Sequence, residues 1–182
     1  MISMVRRIAL PLVLVLVTAA VVLVIAVRPG LQGDAEAVDR AWEPLAKPLA
    51  VRYEALTAVV VALDTAGASD REVTRRLRRV LSDWDLLVVT TDSPAQAITA
   101  NELEGLAARV RATVASSEKF KNDSALTAAI TTFNEAIPPP KQVATYNGTV
   151  EVYAVSRDGF WRGIVASLDD YPARPTLQPS TA

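Results

Sequence analysis

The chain of 182 residues contains no cysteine and no histidine. Disulfide staples, thiol nucleophiles, Cys/His zinc sites and histidine general-base catalysis are therefore excluded together. Glycine is scarce, at seven residues scattered as turn positions, so no glycine-rich phosphate loop exists. Aromatics are few as well, with three Trp, four Tyr and three Phe. Charge, by contrast, is absent only locally. From Ile8 to Val27 twenty consecutive residues carry none, and this run lifts the apolar content of an otherwise ordinary composition.

Twenty residues at about 1.5 Å each span roughly 30 Å, the hydrocarbon thickness of a bilayer. The sequence predicts a transmembrane anchor over 8–27, with a basic cytoplasmic N-terminus over 1–7 carrying Arg6 and Arg7. Arg28 alone follows the run, before Asp34, Glu36 and Asp39. The positive-inside rule then places the N-terminus in the cytoplasm and the remainder outside the cytoplasmic membrane, as a single-pass protein. From Leu31 onward there are 16 basic and 20 acidic residues, a net charge of −4. A rival reading is a cleaved signal peptide, with Ala35-Glu-Ala37 as the small-x-small site. Its apolar core would be longer than the about 7–15 residues usual for such peptides.

Outside the anchor, Arg28-Pro-Gly is expected to end the spanning helix, and 28–38 to form a polar stalk. Trp42, Leu49, Leu56 and Leu63 recur every seven residues, with Leu45 and Val59 between them and Arg52 interrupting the seam. That is a helical period. Pro44 and Pro48 suggest a bent lead-in before the helix proper. Ser69-Asp-Arg-Glu72 fits a capping box for a second helix with Val73, Leu77, Val80, Trp84 and Leu87 on one side. Ser93-Pro94 fits the start of a third, with the stripe Ile98, Leu103, Leu106, Val110 and Val114. A connection over 116–122 leads to a fourth helix beginning near Asp123 or Ser124 and carrying Leu126, Ile130, Phe133 and Ile137. Pro138-Pro139-Pro140 must interrupt it. Helical spacing resumes with Val143, Tyr146, Val150 and Tyr153 and stops at Asp158-Gly159. A short amphipathic helix over 160–170 follows, then a proline-rich tail, 171–182, expected to be disordered. The expected fold is all-α: an N-terminal transmembrane helix followed by an antiparallel four-helix bundle over 39–170.

Two surfaces invite a functional reading. Arg75, Arg76, Arg78 and Arg79 form the sharpest charge cluster, a candidate face for an anionic partner. The spacings Glu72–Arg76 and Arg79–Asp83 also fit a solvated, ion-paired face. An external domain that is net acidic lacks the basic footprint of a nucleic-acid binder. Tyr146, Asn147, Val150 and Tyr153 form the second surface. They read either as bundle core, with phenols reaching polar partners, or as a partner-docking strip or ligand groove with Asn147 as its polar member.

Catalytic and metal chemistry find no support in the pattern. Asp83 and Asp85 point about 200° apart on a helix, and Asp169-Asp170 lacks the ordered oxygen spacing of a calcium site. Lys47, Lys119, Lys121 and Lys141 sit in polar or proline-broken stretches that would not depress a lysine pKa, so a Ser/Lys hydrolase is the weakest option. No metal and no cofactor is expected.

The stretch beginning Asn101-Glu-Leu-Glu, the turn Lys119-Phe-Lys-Asn-Asp123 and the helix motif Tyr146-Asn-x-x-Val150-x-x-Tyr153 together resemble the LemA family. Trp42, Arg52, Leu56 and Val60 resemble its first helix after the membrane anchor, and 160–177 its C-terminal amphipathic segment. Leu56-Thr-Ala-Val-Val and Ile137-Pro-Pro-Pro-Lys141 depart from the family pattern. The resemblance implies a single-anchor, extracytoplasmic helical bundle without agreed catalytic residues. The functional expectation is a membrane-anchored, non-enzymatic adaptor or accessory protein of the bacterial cell envelope. It would bind the cytoplasmic membrane through 8–27, engage an envelope protein partner, leave nucleic acid alone, and be free to form a homo-oligomer. The alternative is a ligand-binding or sensory module with its groove near Tyr146.

Overall fold

The computed structural model describes the main chain of residues 2–90, 92–169 and 171–180, and side chains from Thr18 onward except those at 19, 20 and 23 within that range. All regular structure among the described residues is helical: α1 (Ile2–Thr65), α2 (Glu72–Leu87), α3 (Ser93–Ala115), α4 (Glu118–Lys121), α5 (Ser124–Glu135), α6 (Pro140–Arg157) and α7 (Phe160–Leu168). Most side chains of the expected anchor, 8–27, and all of those of 1–7 lie outside the described residues. Among the described residues no helix is long and apolar enough to cross a membrane.

The first correction concerns α1, which runs unbroken for 64 residues through Pro29, Pro44 and Pro48. The expected helix end at Arg28-Pro29-Gly30 is absent, and residues 28–38 are helical. A proline inside a helix costs about 3 kcal/mol through a missing N–H and a steric clash. Against that, α1 buries Leu31, Val38, Trp42, Leu45 and Leu49 around those prolines, each contributing about 1.5–3 kcal/mol. Burial wins. The helix ends at Thr65, and Gly67 follows it with a φ of +79° that suits a residue without Cβ. Ala68 N–H donates to Leu63 O at 2.8 Å and Gly67 N–H to Asp64 O at 3.0 Å, closing a Schellman turn.

The expected seam on α1 is buried throughout, including Arg52. The Ser69–Glu72 capping box would start the second helix at Asp70; the helix starts instead at Glu72, with Arg71 as N-cap and no side-chain cap bond. In the third, Asp92 rather than Ser93 is the N-cap, accepting from Ala95 N–H at 3.0 Å. Ile98 is exposed; Ala97 and Ala100 take its place in the stripe with Leu103, Leu106, Val110 and Val114. The connection over 116–122 contains the single turn α4. Asp123 caps α5 through Leu126 N–H at 2.9 Å, and the proline run interrupts the helix as expected, with Pro138 and Pro139 between α5 and α6 and Pro140 opening α6.

α2 and α3 pair with each other, while α5, α6 and α7 follow one another back along α1. Four aligned elements thus form the bundle, the fourth being broken. One continuous apolar cluster joins Trp42, Tyr53, Trp84, Phe133 and Tyr146. Trp42 and Tyr146 meet edge to face at 5.0 Å, as do Tyr53 and Trp84 at 4.8 Å. A smaller cluster, Leu31 with Val165 and Ala166, seats α7 on α1.

The second correction concerns the tail. Residues 171–180 were expected to be disordered, yet they run back along the bundle with Leu177 inside the main cluster. Their main chain is hydrogen-bonded along much of its length, which supplies the stabilisation that composition alone does not reveal.

Candidate functional site

The seven-residue seam of α6 turns one row of side chains toward the tail. Arg157 Nε donates to Tyr171 O at 3.0 Å, Tyr153 Oη to Pro172 O at 2.9 Å, and Tyr146 Oη to Pro175 O at 2.9 Å. Tyr146 and Tyr153 lie two helical turns apart, about 10.5 Å, and hold carbonyls three residues apart. The tail between them therefore advances about 3.5 Å per residue, a fully extended chain, and it runs antiparallel to α6.

Asn147 completes this row. Its Nδ2 donates to Leu177 O at 2.9 Å while its Oδ1 accepts from Leu177 N–H at 2.7 Å. On the opposite wall, Asn101 of α3 does the same with neighbouring groups, donating to Thr176 O at 2.7 Å and accepting from Gln178 N–H at 2.9 Å. Two amides on two helices thus read the main chain at adjacent residues. This is recognition of an extended polypeptide through its backbone.

The two ends of the segment are fixed by charge. Arg174 reaches Asp39 at 3.1 Å and Ser93 Oγ at 2.8 Å, and Ser93 in turn donates to Asp39. At the other end, Glu104 Oε2 accepts from both Ser180 N–H at 2.8 Å and Ser180 Oγ at 2.6 Å. Glu104 also binds Arg52 through two bonds, at 2.6 and 2.8 Å. Arg52 spends its other donors on Phe133 O at 3.0 Å, Ala136 O at 3.2 Å and Ser180 O at 3.0 Å. Its guanidinium also lies 4.0 Å from the Phe133 ring centroid.

Electrostatics follow this geometry. Burial pushes the Glu104 carboxyl up, but the bonds from Arg52 and Ser180 outweigh it and hold the group below its ordinary value. Burial raises Tyr146 to about 12. Burial also raises Tyr153, and it lifts Tyr53, with the Glu104 charge adding to the effect, well above the ordinary phenol range. These phenols stay protonated and donating across the physiological range.

The expected Tyr146, Asn147, Val150 and Tyr153 are therefore brought together on one helix. Tyr146, Val150 and Tyr153 are buried, and the polar tips of the two tyrosines and of Asn147 all face the tail. The arginine cluster behaves differently. Arg76 pairs with Glu102 at 2.8 Å and Arg78 with Asp64 at 2.7 Å, on neighbouring helices. Those contacts replace the i,i+4 pair proposed for Arg76. Arg75, Arg76 and Arg79 line an open cleft of about 450 Å³ together with Glu72, Asp83 and Glu102, so its charge is mixed. Among the described residues no cluster of acidic side chains could hold a metal ion.

Asp39, Ser93, Asn101, Glu104 and Arg174 carry no binding role in the sequence pattern, although Ser93 marks a helix start and Asn101–Glu104 opens the family-like stretch. Only Arg52 left a signal, a charge at a seam position where Leu45 and Val59 are apolar. No family model, no curated protein and no solved structure matches the chain.

Proposed function

We propose that the protein is a membrane-tethered, non-enzymatic adaptor of the bacterial cell envelope, LemA-like in organisation, with its bundle outside the cytoplasmic membrane. The observation that carries this reading is the α3–α6 groove, whose amides and phenols are arranged to hold a polypeptide by its main chain. Hydrogen bonds of this kind suit protein recognition better than turnover of a small substrate.

The tether is supported by the uncharged run 8–27 and by the face of α7. Phe160, Trp161, Ile164 and Leu168 are exposed there, 74%, 51%, 41% and 71% respectively. The opposite side of α7 rests on α1, on Val24 and Val27 at the end of the run and on Leu31 just beyond it. Aromatic and aliphatic side chains at that level match the composition of a membrane–water interface.

Two measurements on the full chain test the reading. Carbonate extraction should leave the protein in the membrane pellet, and recovery in the soluble fraction would remove the tether. A photocrosslinker at Val152 or Val155, exposed on α6, should give a reproducible adduct with one envelope protein. Self-adducts alone would overturn the adaptor reading.

A further inference from the structure

The groove described above is occupied by the chain's own segment, Tyr171–Ser180. Three tail side chains point into it: Arg174 toward Asp39 and Ser93, Leu177 into the apolar cluster, and Ser180 onto Glu104. Their spacing is three residues. At these intervals all three side chains of the extended segment reach the bundle. Pro172, Pro175 and Pro179 are compatible with an extended segment, and at each of them the missing N–H is not needed. Among the described residues the groove binds tail N–H groups at Leu177, Gln178 and Ser180. Every demand the groove makes is met by a short linear pattern together with generic backbone atoms.

We propose that this groove is the recognition site for a proline-bearing, extended segment of a partner protein with Arg, Leu and Ser at intervals of three, and that residues 171–180 are an intramolecular occupant which the partner displaces. The proposal rests on the adaptor reading and names the chemistry of its partner. A tethered occupant competes at an effective concentration in the millimolar range, so the free site is masked until a matching segment outcompetes it. Asp39 and Glu104 set the preference. The first selects a basic residue at the leading position, and the second a hydroxyl with a free N–H at the trailing one.

The test uses the full chain and a fluorescent synthetic peptide of residues 171–180, followed by anisotropy. Leu177→Asp should release the tail, and the peptide should bind that variant at least tenfold more tightly than the wild type. Gln178→Pro, which removes one N–H donor without touching the apolar cluster, should act in the same direction and covers the case in which Leu177→Asp fails to fold. A second peptide keeps only Arg, Leu and Ser at those spacings in a Pro/Ala background, and it should bind within about threefold of the first. Adding Asn147→Ala to either tail variant should abolish binding. Equal binding to wild type and variants, no binding to any, or binding unaffected by Asn147→Ala would overturn the proposal. A wild-type dimer by light scattering that dissociates on adding peptide would assign the groove to a second copy's tail, and would overturn it too. In-cell crosslinking from Val152 reports on the adaptor reading separately. Peptide binding without an envelope adduct would leave the groove standing and remove the adaptor.

Discussion

Asn147 and Leu177 form a closed two-bond ring: one side-chain amide gives and receives a hydrogen bond from a single main-chain unit thirty positions along the chain. An asparagine can do this only if its amide plane is held edge-on to an extended strand. The rigid helix beneath it, with Tyr146 and Val150 buried on either side, supplies that constraint.

Replacing Asn147 with Ala should therefore strip Leu177 of both partners while leaving the apolar cluster intact. The expected loss is about 1–3 kcal/mol, the usual consequence of unsatisfied buried polar groups. Urea denaturation measures it. Amide exchange at Leu177 should accelerate far more than exchange within α6, and an unchanged Leu177 rate would refute the assignment.

Tyr146 separates two contributions in one residue. Tyr146→Phe removes only the bond to Pro175 O and should cost about 1 kcal/mol. Tyr146→Ala also removes the ring packed on Trp42 and should cost about 3–5 kcal/mol. Similar losses for the two variants would mean that the ring contributes little.

The buried Arg52–Glu104 pair predicts a strongly non-additive cycle. Arg52→Met alone strands the Glu104 charge, and about 3–5 kcal/mol should be lost. The double variant Arg52→Met/Glu104→Leu should recover most of that, because no charge then remains buried. Additive losses in thermal unfolding would show the pair to be independent.

Stability should fall at both extremes of pH, for opposite reasons. Glu104 is held below its ordinary pKa of 4.5, so its contribution is complete above about 4.5 and is lost as pH drops through the folded-state value. Tyr146 is raised from 10.0 to about 12. Its contribution is complete below 10 and disappears as pH climbs from 10 to 12, with Tyr53 and Tyr153 adding to the same limb. Urea midpoints across pH check both: Glu104→Gln should flatten the acid limb, and Tyr146→Phe should reduce the alkaline one.

Much of this architecture was legible because helices announce themselves by spacing. The seam from Trp42 to Leu63, the proline break before α6 and the motif helix itself follow from periodicity and from what proline forbids. Two features were not legible. The continuity of α1 depends on burial from α5, α6 and α7, which a local reading of Pro29, Pro44 and Pro48 cannot see. The order of the tail depends on partners up to 135 residues away, where Arg174 donates to Asp39, and prolines normally mark segments that bury too little to fold. Asn147 was singled out as the polar member of a tyrosine strip. Asn101 and Glu104 were not, because a polar residue beside an apolar stripe is ordinary on any amphipathic helix.

The long reach of the tail's contacts has a bearing on how the molecule is made. Residues 171–180 leave the ribosome after everything they bind, and their partners sit on α1, α3 and α6, which must already be assembled side by side. Contacts of such high sequence separation close late. Weakening them should leave the folding rate nearly unchanged and hasten unfolding instead. The tail would then act as a latch on the finished bundle, setting its lifetime more than its speed of formation.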